Sequence, residues 1–213
     1  MEDKIVVFII NLTKRTDRRE HIINEFNTRK GFDFVLINAI EHESGAFGLW
    51  TTIKTIIKRQ MNQTEDYIIV CEDDHTFTNS FNMAFLNDSI KKAKEKNADV
   101  LLGGVSWFSD VIQVSPGLFW VDKFSGLQFT VIFRKFFKSI LNANFSKGDA
   151  ADYKISDLTS NTFVTFPFIS KQKEFGYSDV TAGNNSAGKV SRLFKNSSLK
   201  LKHLNKVNDF YNL

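Results

Sequence analysis

The sequence predicts an α/β sandwich with a mostly parallel central sheet. In the first half, short apolar runs alternate with longer amphipathic segments about four times, which is the order of strand and helix that builds such a sheet. The chain has 213 residues, of which 42% are hydrophobic and 22 are Phe. This length and composition predict a globular protein with a sizeable core.

Each element of the first half follows from its local pattern. The strand runs are apolar, rich in β-branched residues and bounded by polar ones. Asp17, followed three residues later by Glu20, has the pattern of a capping box at a helix start. The predicted strands are residues 4–10, 34–37, 67–71 and 99–102. The predicted helices are residues 17–29, a helix that follows a loop at residues 45–48 and runs to about 61, and one from 79 or 80 to 97.

The second half alternates less regularly. Aromatic and β-branched runs predict strands at residues 119–121, 128–133 and 163–168. Residues 135–141 predict a short helix whose aromatic side chains pack in the core. Asp149 is predicted to cap a helix that runs to about residue 160. The sequence from 176 to 188 is typical of a loop.

Basic residues are concentrated at the end of the chain. The net charge is +4, yet residues 187–213 carry six Lys or Arg against one Asp, so this tail holds +5 and residues 1–186 hold −1. We expect one domain over residues 1–186 and a basic tail over residues 187–213. The tail could rest on an anionic membrane surface, or be a solvated helix or a frayed end. The near-neutral body argues against nucleic-acid binding.

Cysteine usage and hydropathy bound the compartment. Cys71 is the single cysteine, so we expect neither an internal disulfide nor a cysteine metal cluster. No stretch approaches the roughly 18–20 apolar residues of a membrane span, and no signal peptide is visible. We therefore expect a cytoplasmic protein, with peripheral contact to the inner membrane through the basic tail as an open alternative.

Three consecutive acids, Glu72, Asp73 and Asp74, follow the predicted strand at residues 67–71. Strand alternation would place Glu72 and Asp74 on one side and Asp73 on the other, where its role would be structural. Carboxylates about 4 Å apart repel by roughly 4 kcal/mol at an effective dielectric near 20. A divalent cation held by one or two of them and by a substrate's phosphates would offset that repulsion. A solvated acidic turn is the alternative.

Other polar residues fall at the same edge of the predicted sheet. Asn11 and the Gly103-Gly104 turn also follow predicted strands, and ligands of open α/β sheets bind beyond the carboxyl ends of strands. Arg15 or Arg18 could hold phosphate oxygens, beside a helix N-terminus that favours anions. The pattern indicates metal-assisted transfer of a phosphorylated group.

Transfer to a hydroxyl group also needs a general base. Asp149, Asp152 and Asp157 fall in or near one predicted helix. Asp149 fits the cap and Asp157 lies further along, where we expect it to be solvated, so Asp152 is the candidate base. The histidines lack metal-ligand spacing, and the sequence has no nucleophile elbow, P-loop or dinucleotide glycine fingerprint.

Several short blocks resemble, in the same order, those of glycosyltransferase family 25, which includes lipopolysaccharide sugar transferases and collagen galactosyltransferases. The blocks are residues 9–19 (IINLTKRTDRR), Gly45-x-x-Gly48, residues 70–74 (VCEDD), 99–104 (DVLLGG) and 151–153 (ADY), and Gln172 with residues 178–180 (SDV). The family's Ser-His pair after the second glycine is Thr52-Ile53 in this chain.

The resemblance implies an inverting, GT-A type transferase with a single Rossmann-like α/β/α sandwich. Its donor half would span about residues 1–105 and its acceptor half about residues 106–186. Asp74 and Glu72 would bind Mn²⁺ or Mg²⁺, and Asp152 would deprotonate the acceptor. The residues implied on the nucleotide side are Asn11, Arg15, Asp17, Arg18, Gly48, Glu72 and Gly104.

We therefore expect a bacterial enzyme that moves a sugar from a nucleotide-diphospho-sugar, here a UDP-sugar, to a hydroxyl of a cell-surface glycan or lipid-linked acceptor. Two alternatives stay open at this point. One is a metal-dependent nucleotidyltransferase, which would release pyrophosphate from a nucleoside triphosphate. The other is a non-catalytic relative that binds nucleotide-sugars without turning them over.

Overall fold

A computed structural model describes residues 4–176 and 188–211. The strands are β1 (Ile5–Asn11), β2 (Phe32–Asn38), β3 (Tyr67–Glu72), β4 (His75–Phe77), β5 (Val100–Leu102), β6 (Trp107–Phe108), β7 (Val111–Ser115), β8 (Leu118–Val121), β9 (Phe124–Ser125), β10 (Phe129–Phe133), β11 (Thr162–Thr165) and β12 (Ser170–Gln172). The helices are α1 (Thr16–Asn27), α2 (Gly45–Gln60), α3 (Met83–Glu95), α4 (Phe137–Asn142), α5 (Ala151–Leu158) and α6 (Lys189–Tyr211).

Strand direction in the large sheet decides where the strand ends meet. The order is β2-β1-β3-β10-β5-β11-β8-β7, with β2, β1 and β3 parallel and β5 parallel to β11. Because β10 is antiparallel to both β3 and β5, those two strands point the same way. The carboxyl ends of β1, β3 and β5 therefore lie at one edge. The predicted α/β sandwich with a mostly parallel sheet is confirmed, although β8 and β10 run against the majority.

Side chains alternate across the sheet and build one core on each face. In β3, Ile68 and Val70 belong to one core, and Ile69 and Cys71 belong to the other. Helices α2, α4, α5 and α6 cover the first face, and α1 and α3 cover the second. The predicted sandwich of helix, sheet and helix thus follows directly from the period of the buried residues.

The three predicted helix starts in the first half are wrong, and α2 begins at Gly45, within the predicted loop. α1 already includes Asp17 in its first turn and has Arg15 at its N-cap position, without a side-chain cap, so the capping box does not form. α3 starts later than residue 80, because the Asn82 side chain accepts a hydrogen bond from the Phe85 N–H at 2.8 Å and caps the helix there.

Asp149 does not cap α5, which is also a correction. Its carboxylate accepts a hydrogen bond from the Ser146 N–H at 2.9 Å and pairs with Lys154 at 3.1 Å, and Ala150 occupies the N-cap position. The hydrogen bond from Ser146 holds the pKa of Asp149 below its ordinary value. Asp149 therefore stabilises the turn before α5, while Asp152 lies in the first turn of the helix itself.

The basic tail forms α6, which packs on the domain and is not frayed. Val190, Phe194 and Leu201 are buried, and the Ser197 hydroxyl donates to the Ser106 carbonyl at 2.8 Å. The boundary at residue 186 and a membrane contact through this segment stay predictions. Within residues 4–176 and 188–211, none of the helices is both long and apolar enough to cross a bilayer. Most of the loop predicted at residues 176–188 lies outside the described residues.

Glu174 caps α6 across an interval of more than ten residues. Its carboxylate accepts hydrogen bonds from the N–H groups of Gly188 at 2.6 Å, Val190 at 2.6 Å and Ser191 at 3.1 Å. N–H groups in the first turn of a helix have no acceptor within the helix, so an external carboxylate stabilises them. The bond from Gly188 is the main cause that lowers the pKa of Glu174.

We expect Glu174→Ala to lower the free energy of unfolding by about 1 kcal/mol at neutral pH, because the first N–H groups of α6 lose their acceptor. Folding lowers this pKa below its ordinary 4.5, so the contribution is complete above about pH 4.5 and is lost as the pH falls further. Urea denaturation at neutral and acidic pH measures this loss. Glu65→Ala, which removes an exposed carboxylate, is the control, and a loss that does not change with pH would contradict the capping role.

Candidate active site

A cavity of about 1200 Å³ opens at the carboxyl edge of the sheet. Its walls come from the segments after β1 and β2, the acids after β3, the end of β9, the first turn of α5, residues 172–176 and the start of α6. The lining includes the charged residues Lys14, Arg15, Arg18, Glu72, Asp73, Asp74 and Asp152. The fold therefore brings together residues that are more than 130 positions apart in the sequence.

Asp73 and Asp74 both contact Arg18. One guanidinium nitrogen, Nη1, lies 3.1 Å from Asp73 Oδ1 and 3.3 Å from Asp74 Oδ2. The predicted alternation, with Asp73 alone on the far side, is therefore wrong. β3 ends at Glu72 and the next two residues form a turn, so the pleat of the strand no longer sets their directions. All three acids line the cavity.

Asn11 holds Asp73 from behind the cavity wall. It is 2% exposed, and its amide nitrogen donates to Asp73 Oδ2 at 2.8 Å and to the Arg15 carbonyl at 3.2 Å. Phe175 lies on the other side of Arg18, whose guanidinium carbon is 4.9 Å from the ring centroid. Such cation–π contacts stabilise a buried guanidinium. Asn11 thus positions the acids through Asp73. It is not among the described residues that line the cavity.

The cavity holds more negative charge than its cations balance. Burial is the main cause that raises the pKa of Glu72 well above its ordinary value, and Asp74, Asp73 and Asp152 raise it further, against Arg18. Burial likewise raises the pKa of Asp74 to about 7, with Arg18 opposing and Asp73 adding to the shift. Carboxyls in this state favour either a proton or an added cation.

One oxygen of Asp74 fits the role of a metal ligand. Oδ1 is buried and has no hydrogen-bond partner among the described residues, while Oδ2 is engaged by Arg18. Within the described part of the chain, no group of three or more His, Cys, Asp or Glu side chains is arranged to hold a metal ion. The residues therefore fit a cation that takes one or two carboxylates, Asp74 and Glu72, and its other oxygens from substrate and water.

Asp152 faces the acids from the second half of the chain. Its Oδ2 accepts a hydrogen bond from the Gly126 N–H at 3.2 Å, and its Oδ1 accepts one from its neighbour's N–H, that of Tyr153, at 2.9 Å. Each carboxylate oxygen has two lone pairs, so each keeps one after these bonds. Asp157, by contrast, is exposed and pairs with Lys123 at 3.0 Å.

The two predicted glycines have packing roles. A Cβ on Gly48 would lie 2.4 Å from the Ile40 carbonyl oxygen, and one on Gly104 would lie 2.2 Å from that of Ser170. These close approaches alone require glycine here. Gly48 and Gly104 are absent from the described lining of the cavity, and their role in binding a ligand stays a prediction.

Thr52 organises the turn after β2. Its hydroxyl accepts a hydrogen bond from the Ile40 N–H at 2.9 Å and donates to the Gly48 carbonyl at 2.7 Å. The turn that it holds contributes Ile40 to the cavity wall. The Thr52 hydroxyl therefore has two hydrogen-bond partners and a structural role in this turn.

Some of the remaining predicted residues line the cavity and others do not. Arg15 and Arg18 line the cavity, whereas Asp17 is exposed on the first turn of α1 and is not among the described lining residues. Gln172 also lines it, while residues 178–180 lie outside the described residues. Sequence reasoning gave no role to Trp107, whose ring reaches the cavity, because no local pattern distinguishes an exposed aromatic from a buried one.

Comparison with solved structures relates the fold to known ones. The chain is similar to A197 from STIV, with a TM-score of 0.53 and 14% identity over 83% of this chain and 87% of that one. Less similar are UDP-glucose pyrophosphorylase complexed with UDP-glucose (TM-score 0.48, 10% identity, 90% and 81% of the two chains) and a glycosyltransferase involved in the glycosylation of the major capsid of PBCV-1 (0.43, 9%, 73% and 74%). No protein-family model matches the sequence, and no curated protein matches it.

The likeness to A197 from STIV shows a shared fold and no more, because the two sequences are only 14% identical. The fold and the cavity together define a mixed α/β protein with an acidic cavity at the carboxyl edge of its sheet.

We expect Asp74→Asn to raise the free energy of unfolding by about 1–3 kcal/mol at pH 8 in the presence of a chelator. The pKa of Asp74 rises from 3.8 to about 7 on folding, so the free energy of unfolding of the wild-type protein falls as the pH rises through that interval. The gain should therefore vanish below about pH 4. Denaturant titrations of both proteins over this range measure it, with Asp157→Asn as the exposed control. A variant no more stable than the wild type at pH 8 would refute the assigned environment.

Proposed function

We propose that this protein is a metal-assisted glycosyltransferase that moves a sugar from a nucleotide-diphospho-sugar to a hydroxyl group. The observation that carries the proposal is that Glu72, Asp74 and Asp152 line one cavity together with Arg15 and Arg18. Acids for a cation, cations for phosphates and a separate carboxylate for proton transfer are the three elements that this chemistry needs. The resemblance of the sequence blocks to family 25 supports the same reading.

The donor's phosphates would lie on the side formed by the segment after β1. Lys14 and Arg15 come from this segment and line the cavity, and Arg18 follows in the first turns of α1. Guanidinium groups bind phosphate oxygens with two parallel hydrogen bonds, and a helix N-terminus adds backbone donors. We propose a UDP-sugar donor, whose diphosphate would lie on this side with its sugar directed toward the acids.

Asp74 and Glu72 would hold Mn²⁺ or Mg²⁺ at the diphosphate. When bound, the cation neutralises the charge that develops on the leaving diphosphate. Arg18 keeps the Asp74 carboxylate in place through Oδ2, which leaves Oδ1 directed away from the guanidinium. Asn11 fixes Asp73, so that the whole turn presents its carboxylates in one arrangement.

Asp152 would act as the general base. As the acceptor oxygen bonds to the anomeric carbon, the bond from that carbon to the diphosphate oxygen breaks and the hydroxyl proton passes to the Asp152 carboxylate. The N–H groups of Gly126 and Tyr153 hold this carboxylate in one orientation. Attack from the side opposite the leaving group inverts the anomeric carbon. The acceptor would be a glycan or a lipid-linked saccharide.

We expect Asp152→Asn to reduce sugar transfer by at least about 100-fold, because an amide cannot accept the proton. Donor binding should be unchanged, since the backbone contacts of residue 152 do not involve the donor side. Transfer from a panel of nucleotide-sugars to saccharide acceptors, with Mn²⁺, measures the rate.

Asp149→Asn is the matched control, because Asp149 pairs with Lys154 and is not among the described residues that line the cavity. Transfer at the wild-type rate by Asp152→Asn would remove Asp152 from the mechanism. Release of pyrophosphate from a nucleoside triphosphate would identify a nucleotidyltransferase instead, and donor binding without any turnover would identify a binding protein.

We expect Asp74→Ala to weaken Mn²⁺-dependent binding of UDP by about tenfold or more, because the site loses Asp74 Oδ1, which has no hydrogen-bond partner among the described residues. Calorimetric titration of UDP with Mn²⁺ and with a chelator separates the metal-dependent part of the affinity. Asp157→Ala, at an exposed position, should bind like the wild type. If Asp74→Ala retained the full response to Mn²⁺, the metal would not be held by this residue.

A further inference from the structure

Two exposed aromatic side chains stand beside the candidate base. Trp107 is 40% exposed and Tyr153 is 45% exposed, and both line the cavity. Their ring centroids are 6.2 Å apart and the ring planes meet at 66°. Large aromatic side chains bury much apolar surface when they can. Two of them left open at the wall of one cavity indicate a surface that a ligand covers.

The backbone holds the Trp107 ring in place. β6 and β9 form a two-stranded ribbon in which Trp107 pairs with Ser125. The neighbouring residues of the ribbon, Phe108 and Phe124, are 6% and 0% exposed, so alternation along β6 directs Trp107 away from the core. The ribbon is joined to α6, because the Ser106 carbonyl accepts the hydrogen bond from Ser197.

The same ribbon and helix turn hold the candidate base. Gly126, which follows β9, donates its N–H to Asp152 Oδ2, and Tyr153 donates its N–H to Oδ1. Whatever covers the two rings is therefore adjacent to the Asp152 carboxylate. The rings lie beside the candidate base, as an acceptor must, whereas the cations Lys14, Arg15 and Arg18 come from the segment after β1 and the first turn of α1.

We propose that Trp107 and Tyr153 form a stacking platform for the pyranose ring of a saccharide acceptor. A pyranose has one face of C–H groups, which packs against an aromatic ring, and an edge of hydroxyls, which remains free for Asp152. A nucleobase would bring a phosphate chain next to the Asp152 carboxylate, which repels it.

This inference rests on the proposed function and names the substrate class of its acceptor side. It can be tested without a donor and without turnover, by saturation-transfer NMR. The probes are the methyl pyranosides of glucose, galactose and mannose, with lactose, maltose and uridine diphosphate added separately. We expect at least one saccharide to receive saturation on the C–H protons of one face, and Trp107→Ala to weaken its binding about tenfold.

Three further variants make the result specific. Trp107→Phe should restore most of the affinity, because it keeps an aromatic face. Tyr211→Ala removes an exposed aromatic from the far end of α6 and should bind like the wild type. Asp152→Asn should still bind the saccharide, since its role is in transfer and not in stacking. Circular dichroism of each variant shows whether it has folded.

The outcomes separate this inference from the proposed function. The platform is supported if Trp107→Ala loses saccharide binding while Tyr211→Ala and Asp152→Asn keep it, even if no donor is ever turned over. The platform is overturned if no saccharide of the panel binds, if uridine diphosphate and not a saccharide loses affinity in Trp107→Ala, or if Trp107→Ala transfers sugar with an unchanged KM for the acceptor. In the last case the proposed glycosyltransferase would stand and the platform would not.

Discussion

The ion pair of Arg18 with Asp73 and Asp74 is the interaction on which the rest of the site depends. The three side chains are 7%, 7% and 16% exposed. Removing Arg18 would leave two buried carboxylates without a compensating charge, which is far more costly than the ion pair itself is stabilising. Because Arg18 belongs to α1 and the acids follow β3, the pair also fixes the start of the helix against the end of the strand.

One guanidinium does not neutralise the whole site. Glu72 and Asp74 keep raised pKa values despite Arg18, because burial removes more solvation than the cation returns. The cavity is consequently a place where an added positive charge is favourable, and Asp152 extends that field across to the opposite wall. Charge, more than shape, distinguishes this cavity from an ordinary groove at a sheet edge.

Sequence patterns predicted the elements that have a period and missed those that do not. The apolar runs of β1, β2 and β3 and the helices α1 and α2 are long enough to show alternation or helical spacing. β6 and β9 have two residues each, and a period cannot be read from two residues. The insertion of β10 between β3 and β5 is also invisible locally, since pairing between strands far apart in sequence decides it.

The same limits apply to the site. The three acids stood out because consecutive carboxylates at the end of a buried strand repel one another, and Asp152 because it falls in the first turn of a predicted helix at the same end of the fold. The direction predicted for Asp73 is wrong because the alternation of β3 stops at Glu72, where the strand ends. Gly48 and Gly104 were recognisable as special, but a glycine required by a nearby carbonyl and one required by a ligand have the same sequence signature.

The carboxylate bridge from Glu174 to α6 has a consequence for how the protein is made. The start of α6 supplies Val190 and Leu193 to the cavity, whereas the acids lie near residue 73. A ribosome therefore releases the acidic half of the site long before the helix that completes the wall. During synthesis the acids and the apolar surface beneath α6 remain exposed until α6 has been made. The cavity acquires its final shape only when contacts between distant parts of the chain have formed.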